Sequence, residues 1–172
     1  GAVSLSSVST LVGHDQAGLA DGVLTDALNS PKSLATSPDL LTLAVADTGN
    51  HRIRLVDTVR SEVSTIGSGV PGMVDGAASQ AQFLWPQSVA WAPGGDFVAV
   101  ADKTVVRILN VGTRDVSTLR LSSRTSSLAP ASLSYSANGL FFAMSELTGS
   151  GESLKLVCAQ DWFVGPAVPF GE

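Results

Sequence analysis

Acidic residues recur at one position of a repeated pattern. Asp47 and Asp102 each end an Ala-Val-Ala-Asp segment, and Glu146 takes the same place in a more divergent third copy. A cation falls near the start of the next predicted strand in each copy, namely Arg52, Arg107 and Lys155. Opposite charges that face each other across two strands contribute roughly 0.2–1 kcal/mol. The pattern favours a structural ion pair beside a turn, and the alternative is a rim of acids that binds a cation or a basic ligand.

The two histidines of the chain could ligate a metal only with a further residue. To bind a metal, His14 and His51 would need a third ligand, for which Asp15 and Asp21 are candidates. The favoured interpretation is that both histidines lie in loops and are exposed to solvent. The Asp-Gly pairs at 21–22 and 75–76 lack the other acids of an EF-hand loop. There is no Gly-x-Ser-x-Gly elbow, phosphate loop or dinucleotide fingerprint. The sequence therefore predicts no catalytic residue, no metal and no cofactor.

Two tryptophans and the single cysteine each have a packing interpretation. Trp91 falls at a core position of a predicted strand, so packing explains it. Trp85 ends a long loop just before Pro86, where it either packs or contacts a ligand. Cys158 is the only cysteine, which excludes an internal disulfide and a zinc site built on several thiolates. We expect it to be a buried, inert thiol.

These residues belong to an internal repeat. The tripeptide Val-Ser-Thr occurs three times, at intervals of 55 and 53 residues. At the 55-residue offset, Ser33-Leu34-Ala35 matches Ser88-Val89-Ala90, and Arg52-Ile53 matches Arg107-Ile108. Gly, Pro, Asn and Asp separate the short apolar runs, which is typical of strands joined by turns. The repeat therefore predicts an array of small β-units.

Each unit is predicted to hold four short strands, which we name a, b, c and d. In the first unit they are Ser33–Thr36, Leu41–Asp47, Arg52–Asp57 and Glu62–Ile66. In the second they are Ser88–Ala92, Phe97–Asp102, Val105–Asn110 and Asp115–Leu121. Strands a and b are apolar or small on both faces, which indicates sheets that are packed on both sides.

The predicted ligand face follows from strand direction. Because antiparallel strands alternate in direction, the b–c turns and the long d–a loops should emerge on the same side. Binding residues concentrate in loops carried by a rigid scaffold. The candidate ligand-binding residues on this side are Asp47, Asn50, His51, Arg52, Asp75, Trp85, Asp102 and Arg107.

One segment of the repeat resembles a known family. Val45-Ala46-Asp47-Thr48-Gly49-Asn50-His51-Arg52-Ile53-Arg54 resembles the NHL repeat, with Arg52 in place of the leucine of Asn-His-Leu. The segment from Gly72 to Pro86 is similar to the family's inter-blade loop. The second copy departs from the pattern, because it has Lys103-Thr104-Val105-Val106 in place of Thr-Gly-Asn-His. The resemblance covers residues 8–110 well and residues 117–159 weakly.

The resemblance implies an all-β fold, a β-propeller of NHL type with four-stranded antiparallel blades, usually about six to a ring. Residues 1–172 would form a single propeller segment of about three blades, half of such a ring. The blades are expected at about 33–67, 88–121 and 131–168, with a leading d-like strand at 8–12. A half ring exposes two apolar blade faces. Three closures remain open: missing blades from a longer parent protein, a homodimer, or blades supplied by another protein.

Composition excludes several classes of protein. Hydrophobic residues make up 44% of the chain, which is too apolar for a disordered protein. No apolar run reaches the roughly 18–20 residues of a membrane helix, so no membrane insertion is expected. The net charge of −5 argues against nucleic-acid binding. Gly1-Ala2-Val3 lacks the basic start of a signal peptide and is compatible with a cut end, and the compartment stays open.

The sequence favours a non-enzymatic module that binds a protein or peptide on the side of the d–a loops and b–c turns. The alternative, suggested by six-bladed relatives, is part of a metal-dependent hydrolase or lyase with its site at the central channel. RNA binding, known for some propellers of the family, ranks third, because Arg52, Arg54 and Arg60 form the only local basic cluster.

Overall fold

The computed structural model describes residues 10–11, 22–23, 28–119, 130–139, 141–148 and 151–158. Within these residues the chain forms thirteen β-strands and one short 3₁₀ turn, Thr48–Asn50. The strands make three antiparallel sheets, one after another along the chain. The described part of the protein is therefore almost entirely β-structure, as the sequence predicts.

The first sheet has the order β1-β5-β4-β3-β2 and consists of β1 (Gly22–Val23), β2 (Ser33–Thr36), β3 (Thr42–Asp47), β4 (Arg52–Asp57) and β5 (Glu62–Ile66). The second has the order β6-β10-β9-β8-β7 and consists of β6 (Gly76–Ala77), β7 (Pro86–Trp91), β8 (Phe97–Asp102), β9 (Val105–Asn110) and β10 (Asp115–Thr118). The third consists of β11 (Pro130–Tyr135), β12 (Phe141–Thr148) and β13 (Gly151–Cys158).

The strands predicted from the repeat agree closely with these bounds. Five predictions match the structure residue for residue: β2, β4, β5, β8 and β9. Strand β7 begins two residues earlier than predicted, at Pro86, because a bulge between Pro86 and Ser88 accommodates a proline at the start of a strand. The predicted strand at 8–12 and the third unit beyond residue 158 fall outside the described residues, apart from Thr10 and Leu11, which lie in no strand.

Each long loop contributes a short strand that the sequence did not predict. Gly22 pairs with Val63 of β5, and Gly76 pairs with Val116 of β10. The sequence favours turns at both Asp-Gly pairs, because Asp and Gly are common turn residues. The two-residue strands instead cover the outer edge of a sheet, where backbone groups would otherwise be unpaired.

Strand register corrects the alignment of the cations. Arg54 lies opposite Val45, two residues before Asp47, and Arg107 lies opposite Val100, two residues before Asp102. Arg107 is therefore equivalent to Arg54 and not to Arg52. The 55-residue offset misaligned them because the first b–c turn, residues 48–51, is two residues longer than the second, residues 103–104.

The sheets stack through apolar faces. One core lies between the first and second sheets and includes Ala44, Ala46, Ile53, Leu55, Val89, Trp91, Val98 and Val100. A second lies between the second and third sheets and includes Ala90, Ala99, Ala101, Val106, Ile108, Leu133 and Met144. Small alanines on one face of each sheet let the next sheet approach closely. Because the middle sheet has a neighbour on each side, both of its faces are covered.

A serine hydroxyl joins each strand a to the next. Ser33 Oγ accepts the backbone N–H of Val89 at 3.1 Å, and Ser88 Oγ accepts the backbone N–H of Leu133 at 3.0 Å. The two bonds occupy equivalent positions in successive sheets. Neighbouring sheets are thus joined by a hydrogen bond between their strands a as well as by apolar contacts.

Candidate functional site

Asp47 is the centre of a buried network in the first sheet. Its Oδ2 accepts Arg54 Nε at 3.0 Å and Asn50 Nδ2 at 2.8 Å. Its Oδ1 accepts the backbone N–H of Asn29 at 2.7 Å. The side chains of Asp47 and Arg54 are both fully buried. The carboxylate therefore fastens the end of the preceding loop to strand c.

Asp102 repeats this arrangement in the second sheet. It accepts the backbone N–H of Leu84 at 3.0 Å and that of Trp85 at 2.6 Å, and Arg107 Nη1 lies 3.5 Å from its Oδ2. Burial raises the pKa of Asp102, against the opposing effect of the two N–H groups and of Arg107. Asn29 and Leu84 each lie 18 residues before the acid that binds them.

Asp75 extends the second network to the surface. Its Oδ1 accepts Arg107 Nη2 and Thr118 Oγ1, both at 2.8 Å. Burial alone would raise the pKa of Asp75, but the hydrogen bonds of Thr118 and the charge of Arg107 hold it below the ordinary value. The side chain of Asp75 is 48% exposed. It ties the long loop to strands β9 and β10.

The eight predicted ligand-face residues therefore divide into two groups. Four are buried in these networks, namely Asp47, Asn50, Asp102 and Arg107. Ligand contact by them would require breaking buried bonds, so burial argues against their predicted place on an accessible rim. His51, Arg52, Asp75 and Trp85 retain exposed surface. The structure also corrects the predicted partner of Asp47, because Arg52 lies opposite it but turns away, and donates from Nη2 to the carbonyl of Ser68 at 3.0 Å.

A pocket of about 500 Å³ lies on the predicted ligand side, between the b–c turns of the first two sheets. Its lining residues are His51, Leu84, Trp85, Gln87 and Lys103. His51 Nδ1 lies 2.8 Å from the carbonyl oxygen of Leu84, so a b–c turn contacts a d–a loop, as strand direction predicts. We call this cavity the rim pocket.

Trp85 is the dominant side chain of the rim pocket. Its backbone is fixed on both sides, by Asp102 at its N–H and by the N–H of Lys103 at its carbonyl, 3.3 Å away. Its ring remains 44% exposed. The ring of His51 stands edge-on at 6.2 Å, and Lys32 Nζ lies 5.3 Å from the centre of the indole. The buried carboxylate thus holds an exposed aromatic side chain in place.

Sequence reasoning missed Gln87 and Lys103, which line this pocket, and Lys32, which lies over the Trp85 indole. Lys32 and Gln87 directly follow the equivalent prolines Pro31 and Pro86. Lys103 belongs to the two-residue turn that breaks the repeat pattern. That departure from the repeat was the one feature of the sequence that could have pointed to Lys103 as a pocket residue.

Another cavity, of about 510 Å³, lies at the opposite end of the sheets. Its lining includes Asp57 and Arg60, which pair with each other at 2.8 Å. It holds no aromatic side chain. The described ranges contain no group of three or more His, Cys, Asp or Glu side chains placed to hold a metal ion. Among the described residues, no helix is long and apolar enough to span a bilayer.

Comparison with known proteins supports the fold alone. Neither a protein-family model nor a curated protein matches the sequence. Among solved structures, hydrazine synthase of Kuenenia stuttgartiensis matches with a TM-score of 0.60 at 15% identity, over 78% of this chain and 34% of that one. A chain of a nidogen/laminin complex matches with a TM-score of 0.59 at 10% identity, over 77% of this chain and 45% of that one.

Both of these proteins contain β-propellers. The chain spans less than half the length of either. The stacked antiparallel sheets are therefore of the propeller kind.

Proposed function

We propose that the chain is a non-enzymatic protein- or peptide-binding module built on NHL-type propeller blades, with the rim pocket as its ligand site. The exposed ring of Trp85 carries the proposal. Tryptophan is enriched at the energetic centres of protein interfaces, where a large rigid side chain enters a dry contact. The fixed backbone of Trp85 supports this role, because an ordered anchor loses little freedom on binding.

The charges around Trp85 favour an acidic peptide. Lys32 and Lys103 are both exposed, in a chain whose net charge is −5. Lys32 lies over the indole, and Lys103 lines the same pocket as Trp85. Local charge of one sign steers partners of the opposite sign and excludes like-charged ones. The ligand that fits is an extended segment with an apolar side chain for the indole and carboxylates for the two lysines.

The enzymatic alternative has less support. A metal-dependent hydrolase needs several acidic or histidine side chains that converge on one accessible point. Asp47 and Asp102 are instead buried and bonded to arginines and backbone N–H groups. The basic cluster considered for RNA is also dispersed, because Arg54 is buried and Arg60 pairs with Asp57 at the opposite end.

Selection from a displayed library of random peptides tests the proposal. We expect the chain to enrich acidic sequences that carry an apolar residue, and Trp85→Ala to weaken the selected peptides by about 30-fold, the effect of losing about 2 kcal/mol at a central anchor. Leu40→Ala is the matched control, because Leu40 is 71% exposed in an a–b turn at the opposite end. Peptides that bind Trp85→Ala and the parent chain equally would contradict the proposal.

A further inference from the structure

Each sheet has a forward face, which looks toward the next sheet along the chain, and a back face, which looks toward the previous one. Strand register identifies the equivalent forward-face aliphatics as Ile53 and Leu55, Val106 and Ile108, and Leu154 and Leu156. In the first two sheets these side chains are at most 6% exposed. In the third sheet, Leu154 is 74% exposed and Leu156 is 71% exposed. The third sheet therefore carries equivalent forward-face leucines, and no described part of the chain covers them.

The back face of the first sheet is open only at strand a, because Val45, Val56 and Val63 are buried in a cluster that Leu28 and Leu43 pack against. Leu34, Val89 and Leu133 are equivalent residues of the three strands a. Val89 is 4% exposed and Leu133 is 7% exposed, because a preceding sheet covers each of them. Leu34 is 66% exposed. A cavity of about 420 Å³ lies beside it, lined by apolar residues that include Leu28, Leu43, Val45 and Val56.

The polar link between strands a is also left open at the third sheet. Ser132 is equivalent to Ser33 and Ser88, whose hydroxyls accept an N–H from the next strand a. Ser132 is exposed. The N–H that would complete the pattern belongs to the residue equivalent to Val89 and Leu133, and in the first sheet that residue is Leu34.

We propose that the forward face of the third sheet docks on the back face of the first sheet of a second copy of this chain. Leu154 and Leu156 would cover Leu34, and Ser132 Oγ of one copy would accept the Leu34 N–H of the other. One chain carries both halves of a contact that it already makes twice internally, which is why a second copy is the occupant. The contact is head-to-tail, and two of them close a ring of two copies with three sheets each.

Light scattering coupled to size exclusion tests the pairing. We expect the chain to have twice its mass of 17.6 kDa. Leu34→Arg and Leu156→Arg should each give 17.6 kDa, because an arginine at either face disrupts both contacts of the ring. Val59→Arg is the matched control and should remain paired, since Val59 is 70% exposed in a c–d turn away from both faces. Circular dichroism establishes that each variant is folded.

Mixing the two variants gives a second, independent readout. A mixed pair of Leu34→Arg and Leu156→Arg has one contact without any substitution, so the mixture should pair although neither variant pairs alone. A parent chain of single mass would overturn the proposal. So would a Leu34→Arg variant that keeps double mass, or a mixture that stays at single mass.

Discussion

At the scale of single residues, the repeat is held together by buried carboxylates. Asp47 and Asp102 each bind an arginine of strand c and the backbone of the loop that leads into strand a. The sequence predicted that these acids are equivalent and that a structural role is favoured. It assigned Asp47 the wrong arginine, because a turn of different length shifts the alignment without any change in composition. Only strand register distinguishes Arg54 from Arg52.

Arg54→Met should strongly destabilise the protein. The substitution leaves the Asp47 carboxylate buried without its cation, and loss of one partner of a buried ion pair typically costs about 3–5 kcal/mol. The free energy of unfolding in urea measures the effect. Arg60→Met is the matched control, because Arg60 is 73% exposed and its pair with Asp57 lies at the surface, so it should change stability little. Equal losses in the two variants would contradict the structural role of Asp47.

At the scale of elements, strands were predictable wherever short apolar runs end at turn residues. Two features could not be predicted in this way. The outer strands β1 and β6 contain only two residues each, which is too short for any periodicity, and Asp-Gly is a common turn pair. The rim pocket was predicted only in part, since His51 and Trp85 were identified but Gln87, Lys103 and the Lys32 side chain over the indole were not. Their meeting depends on how two sheets pack, which no local pattern encodes.

The packing of the third sheet on the second can be measured at Tyr135, the only tyrosine of the chain. Tyr135 lies in β11 against the second core, and burial raises its pKa to about 12. Because the pKa of Tyr135 is higher in the folded than in the unfolded protein, its neutral phenol stabilises the fold. This contribution is complete below the unfolded-state pKa of about 10. It is lost as the pH rises through the folded-state pKa of about 12.

Absorbance of the phenolate should therefore titrate with a midpoint near 12 in the native protein. The same titration in denaturant should return a midpoint of about 10. Circular dichroism at each pH shows whether the strands persist. A native midpoint of about 10 with intact strands would mean that Tyr135 is not buried in this interface.

At the scale of the whole molecule, the described part of the protein is a stack of three similar sheets whose two end faces differ. The middle sheet shows what each face needs: an apolar partner across strands b and c, and a serine link between strands a. The sequence predicted that the sheets stack, because apolar and polar residues do not alternate along strands a and b. It did not predict the serine link, because Ser33 and Ser88 are small polar residues with no signal beyond their recurrence. By the same equivalence, Ser132 lies on the last sheet of the stack and Leu34 on the first.

The most direct measurement of this stacking is amide hydrogen exchange, resolved by residue, in Ser33→Ala. Removing the hydroxyl deprives the Val89 N–H of its acceptor, and a hydrogen bond of about 1 kcal/mol corresponds to about fivefold faster exchange. The Leu133 N–H, which bonds to Ser88, is the internal control and should keep its parent rate. Faster exchange at Val89 alone is the result that stacked, serine-linked strands predict. An unchanged rate at Val89, or an equal increase at Leu133, would contradict them.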